Sequence, residues 1–113
     1  MEFERVKLPT VREKSKENSI MFKGVRLGQT RERPEEFETY QKTVRIYRTA
    51  EGPFLVYVTF NSMNGELYLS DYVKTDSLDP GEIRSAMKKA GVYPGTCYGR
   101  AIYKSFRSLE KMR

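Results

Sequence analysis

The side-chain pattern between Lys42 and Val73 predicts an α+β fold, with an antiparallel sheet of three to five strands followed by two helices. Three observations carry that expectation. KTVRIYR at 42–48, FLVYVTF at 54–60 and ELYLSDYV at 66–73 each alternate with the period of two of a half-buried strand. Asp79-Pro80-Gly81-Glu82 combines an N-cap, a proline at the first helical position and an acid in the first turn. From Tyr98 to Met112, apolar and basic residues recur at helical spacing on opposite faces.

Turn residues join the three strands into a meander over 42–73. Ala50-Glu51-Gly52-Pro53 breaks the chain after the first, and Asn61 to Gly65 ends in an Asn-Gly pair that tolerates positive φ and favours a tight hairpin. Alternate residues place Val44, Ile46, Phe54, Val56, Val58, Phe60, Leu67, Leu69 and Val73 on a core face, which Asp71 interrupts with an acid. The other face carries Thr43, Arg45, Tyr47, Leu55, Tyr57, Thr59, Tyr68, Ser70 and Tyr72. Such a tyrosine-rich surface either stays open to solvent or is covered by the N-terminal segment.

Upstream, Phe3, Val6 and Leu8 make a short strand candidate, and Ile20 to Leu27 a better one with Gly24 as its bulge. Between them, residues 9–19 are polar enough to form a flexible arm or loop within a single domain of 113 residues. Arg33-Pro34-Glu35-Glu36-Phe37 suits a helix first turn, yet FETYQKTVRIY keeps the strand alternation, and both readings stay open.

Downstream, the capped helix runs over 80–90, with Ile83, Ala86, Met87 and Ala90 on one stripe, Gly91 as its C-cap and a turn at 92–95. The last helix is basic and amphipathic. Tyr98, Ile102, Phe106, Leu109 and Met112 form its apolar stripe, and Arg100, Lys104, Arg107 and Lys111 its basic one. A strand over 96–103 competes, because Gly99 is a poor helix residue.

Composition narrows the chemistry. The chain has 38% hydrophobic and 32% charged residues, without the roughly 18 consecutive apolar residues of a membrane span. Its start lacks the plan of a secretory signal, and one cysteine, Cys97, cannot form an internal disulfide; a cytoplasmic protein with no membrane partner is expected. Charge is segregated. Residues 1–33 carry a net +4, residues 34–80 a net −4 and residues 81–113 a net +6, a field that attracts polyanions.

Histidine is absent, which removes the usual general base at neutral pH and the commonest zinc ligand. Cys97 has only Arg100 nearby in sequence to activate it, so it reads as a packing residue. The acids Glu35, Glu36, Glu38, Glu66 and Asp71 fall in loops or near hairpin ends, and no phosphate-cradling glycine motif occurs. We therefore expect neither catalysis, nor a metal, nor a cofactor.

Binding is the expected role. Rings on a sheet face stack on bases while neighbouring cations hold phosphates, which makes Arg45, Tyr47, Tyr57 and Tyr68 candidates for single-stranded nucleic acid. Arg100, Lys104, Arg107 and Lys111 would extend that track along the last helix, or lay it across a duplex backbone. The same tyrosines and arginines also suit an adaptor, inhibitor or immunity-type module that binds an acidic protein. Neither the ligand nor the oligomeric state is readable from the residues.

Overall fold

Five strands pair in chain order as one antiparallel meander: β1 (Glu4–Thr10), β2 (Asn18–Glu32), β3 (Tyr40–Thr49), β4 (Phe54–Ser62) and β5 (Leu67–Thr75). Helices α1 (Pro80–Ala90) and α2 (Cys97–Lys111) follow. This computed structural model describes residues 2–11, 18–32, 40–62, 64–91 and 97–111, and among these leaves the side chains of Glu32, Tyr40, Tyr68 and Cys97 undescribed. The choice of helix or strand at 33–37, the turn at 92–95 and Met112 lie outside the described residues. The expected polar arm at 9–19 has strand at both ends, since Pro9 and Thr10 belong to β1 and Asn18 and Ser19 to β2.

The sheet curls because β2 serves two neighbours in succession. Its first half, Asn18–Gly24, pairs with β1, and its second, Gly24–Glu32, with β3. Gly24 is the corner, opposite both Glu4 and Thr49; a Cβ there would stand 2.9 Å from the Arg48 carbonyl oxygen and 2.7 Å from the Phe22 ring. The bulge expected at Gly24 lies instead between Arg26 and Gly28, where the register shifts. The stagger carries the end of β1 across to β5. There Ser70 N donates to the Val11 carbonyl at 2.8 Å and Val11 N donates to that of Ser70 at 3.0 Å.

Side chains reinforce the closure. The Tyr57 hydroxyl and Ser70 Oγ both donate to the Pro9 carbonyl, at 2.6 and 2.8 Å. Proline in an edge strand lacks an N–H but keeps its acceptor, and here that acceptor takes two hydroxyls from β4 and β5.

Curling gives the sheet two cores. On the outer face Val44, Ile46, Val56 and Val58 pack under Ile83 and Met87 of α1 and Ala101 and Ile102 of α2. The inner face holds Leu8, Tyr47, Leu55 and Tyr57, with Val6, Ile20, Phe22 and Tyr72 against them. Phe22 meets Tyr47 edge to face, with centroids 5.3 Å apart. Alternation places Leu67 on the outer face, but the β4–β5 register skips Tyr68, so Leu67 falls opposite Asn61 on the inner side. Asp71 is buried on the outer face opposite Val58, and its carboxylate accepts the Tyr72 N–H at 2.8 Å.

Each helix has a local cause. Asp79 Oδ2 accepts the Glu82 N–H at 2.9 Å, Pro80 opens α1 and Gly91, in the left-handed region, closes it. α2 is held close to β2 by Gly28, where a Cβ would lie 2.7 Å from both the Ala101 carbonyl oxygen and Ser105 Oγ. That contact turns the small residues Ala101 and Ser105 toward the sheet, with Ile102 buried beside them, whereas Phe106, expected on the apolar stripe, is 47% exposed.

Gly28→Ala should therefore lower unfolding free energy by about 1–3 kcal/mol, because the backbone of α2 must move to admit one methyl. Urea denaturation followed by circular dichroism checks this, with the midpoint falling and the slope unchanged.

Candidate nucleic-acid interface

The residues expected to form one binding track lie on opposite faces of the sheet. Arg45, Tyr47 and Tyr57 point to the inner face, while α2 with Arg100, Lys104, Arg107 and Lys111 packs on the outer one. Tyr47 is 5% exposed and Tyr57 2%, so neither ring has a face open to a base. The covering comes from β1 and the first half of β2, whose Val6, Leu8, Ile20 and Phe22 pack on these rings. The Tyr68 and Cys97 side chains lie outside the described residues.

Tyr57 is a structural hub. Burial pushes its hydroxyl above the ordinary tyrosine value of 10.0, and the hydrogen-bonding neighbourhood of Ser70 and the charge of Arg45 pull the other way. Arg45 is half-buried beside it, with Nε donating to Gln29 Oε1 at 3.1 Å.

α2 gathers its four cations by spacing. Arg100, Lys104, Arg107 and Lys111 succeed one another at intervals of four, three and four residues, which puts them on one exposed stripe. At the helical rise they span about 16 Å. The fold adds a fifth cation. β1 stops pairing at Gly24, so the β2 edge beyond it has no strand neighbour among the described residues, and α2 lies along it. Two edge carbonyls are satisfied from the helix: Ser108 Oγ donates to Leu27 at 2.6 Å and Lys104 Nζ to Gln29 at 3.0 Å. This brings Arg26 to the same shallow groove as Lys104, Arg107 and Lys111, and no carboxylate lines it among the described residues. Arg26 itself is oriented by Nη1 donating to Gln29 Oε1 at 3.1 Å.

The aromatic component is also on this helix. Tyr103 is 62% exposed, with the Arg107 guanidinium carbon 5.9 Å from its ring centre, and Phe106 follows on the same flank. Neither ring stands out in the sequence, because assigning Phe106 to the buried stripe hides both. Only the close approach at Gly28 rotates them outward. Arg26 could not be assigned from sequence, since its nearness to residues 104–111 depends on the sheet edge.

Among the described residues no group of three or more acids, cysteines or histidines could hold a metal, and no helix is long and apolar enough to cross a membrane. Glu66 is exposed and Asp71 buried, while Glu35, Glu36 and Glu38 lie outside the described residues. Comparison with known proteins returned no matching family model, no similar curated protein and no similar solved structure.

The raised Tyr57 pKa has a testable sign. Above pH 10.0 the unfolded chain loses the phenolic proton while the folded chain keeps it, so stability from this group is intact below that pH and declines as pH rises through the folded value. Urea unfolding across that range should show a steeper alkaline loss for the wild type than for Tyr57→Phe. The variant should also be about 1–2 kcal/mol less stable at neutral pH, having lost its bond to Pro9.

Proposed function

We propose that this protein is a small non-catalytic binder of nucleic acid, favouring single strands, and that the exposed face of α2 is its contact surface. The observation that carries this reading is the groove between α2 and β2, where Arg26, Lys104, Arg107 and Lys111 converge with Tyr103 exposed at their side. Phosphates need cations in a row, and unpaired bases need a ring; both are present on one helix, and no catalytic group is required. Exposed Tyr103 and Phe106 favour single strands, because bases paired in a duplex do not offer their faces for stacking.

Fluorescence anisotropy of labelled single-stranded RNA, single-stranded DNA and duplex DNA at several salt concentrations tests it. Engagement of four phosphates should give a log–log salt slope of about −3 for single strands. Changing Lys104, Arg107 and Lys111 together to Glu should abolish binding while leaving the circular dichroism spectrum intact. Tyr103→Ala should weaken single-strand binding by about 1–3 kcal/mol, roughly five- to a hundred-fold, and affect duplex binding much less.

The alternative is an acidic protein partner, favoured by the Tyr103–Arg107 pair beside exposed Phe106, since aromatic residues and arginine are enriched at interfaces. Failure of every nucleic acid to bind at low salt would leave that reading in its place.

A further inference from the structure

We infer that the polar end of the inner sheet face, beside Pro9, is a second binding site, a pocket for a small organic phosphate monoester of about mononucleotide size. It lies on the inner face of the sheet, away from Lys104, Arg107 and Lys111 of α2, and adjoins that groove at Gln29, whose Oε1 accepts from both Arg26 and Arg45. That face changes character at Tyr57. On one side lie Leu8, Tyr47 and Leu55, packed against each other; on the other, the strands turn polar row by row. Gln29 lies opposite Arg45, Arg31 opposite Thr43, and Thr43 opposite Thr59. Of these, Arg31, Thr43, Arg45 and Thr59 border a cavity of about 410 Å³ together with Pro9 and Tyr57.

Two features distinguish this end from a merely wetted surface. Thr43 and Thr59 line the cavity and are buried, so hydroxyls form its floor at positions where the other half of the same face uses apolar side chains. A floor of hydroxyls offers hydrogen bonds to a polar molecule that an apolar floor would not. Second, Arg31 and Arg45 stand on adjacent strands as diagonal neighbours, about 7–8 Å apart at their bases, within reach of one anion. No carboxylate lines the cavity among the described residues.

The donor set selects the ligand. Two fixed positive charges match a phosphate monoester, which carries about −1.5 to −2 at neutral pH on three oxygens, better than a single carboxylate. The bond that orients Arg45 uses Nε, so its terminal nitrogens remain for a two-pronged phosphate contact. The cavity lies within the roughly 300–1,000 Å³ of small-molecule sites and exceeds what a bare phosphate fills, leaving room for the organic part.

Isothermal titration calorimetry of the full chain with AMP, ribose 5-phosphate and adenosine tests the inference. At least one phosphate ester should bind saturably and adenosine should not. Arg31→Gln and Arg45→Gln should each weaken the ester roughly ten-fold or more, as expected for a charged hydrogen bond. The Lys104/Arg107/Lys111 triple Glu variant should bind it as the wild type does. Absence of saturable binding by both esters into the millimolar range would overturn the site, as would adenosine binding as tightly as AMP. Loss of ester binding in the triple variant would move the phosphate to α2 and overturn it equally. If Arg45→Gln fails to fold by circular dichroism, the exposed Arg31→Gln decides, and unchanged binding there refutes the pocket.

Discussion

The Pro9 carbonyl is the acceptor on which the arrangement of this molecule depends. Two hydroxyls, from Tyr57 on β4 and Ser70 on β5, converge on it, and the Val11–Ser70 backbone pair follows immediately. A five-stranded meander has two edges, and this closure brings them together at one end. Because proline offers no N–H, a continuous ladder between β1 and β5 cannot run through this position, and hydroxyls supply the contact instead. With β1 held there, Leu8 and Val6 cover the rings of Tyr47 and Tyr57 and make a second core beneath a sheet whose other face already carries the helices.

The same closure divides the inner face. On one side of Tyr57 the side chains of Leu8, Tyr47 and Leu55 pack together, whereas on the other, beside Pro9, the paired strands keep a polar lining around Arg31 and Arg45. On the outside, the stagger that brings β1 to β5 leaves the second half of β2 as an edge, and α2 covers it through Ser108 and Lys104. Gln29 sits between these regions: its side chain orients Arg26 and Arg45, and its carbonyl accepts Lys104. The protein thus has two basic surfaces that meet at Gln29, whose Oε1 accepts from an arginine of each.

Strand alternation over 42–73 was legible because burial on one side of a pleated strand imposes a period of two, whatever the neighbours are. Where a bulge intervened the pattern misled. Leu67 changed face because one residue of β5 is skipped in the register, and Phe106 left the buried stripe because Gly28 draws α2 in on Ala101 and Ser105. In both cases the deciding contact lies on another strand or helix, out of reach of any local pattern.

The sequence by itself determined the α+β character, the meander and the concentration of positive charge in the last third, since each depends on spacing along the chain alone. Tertiary structure decided which tyrosines are core and which ring meets solvent. The reason is that alternation sorts residues between two faces without saying what covers either. The tyrosine face is buried because β1 crosses to β5, and Tyr103 is exposed because Gly28, 75 residues earlier, sets the rotation of its helix.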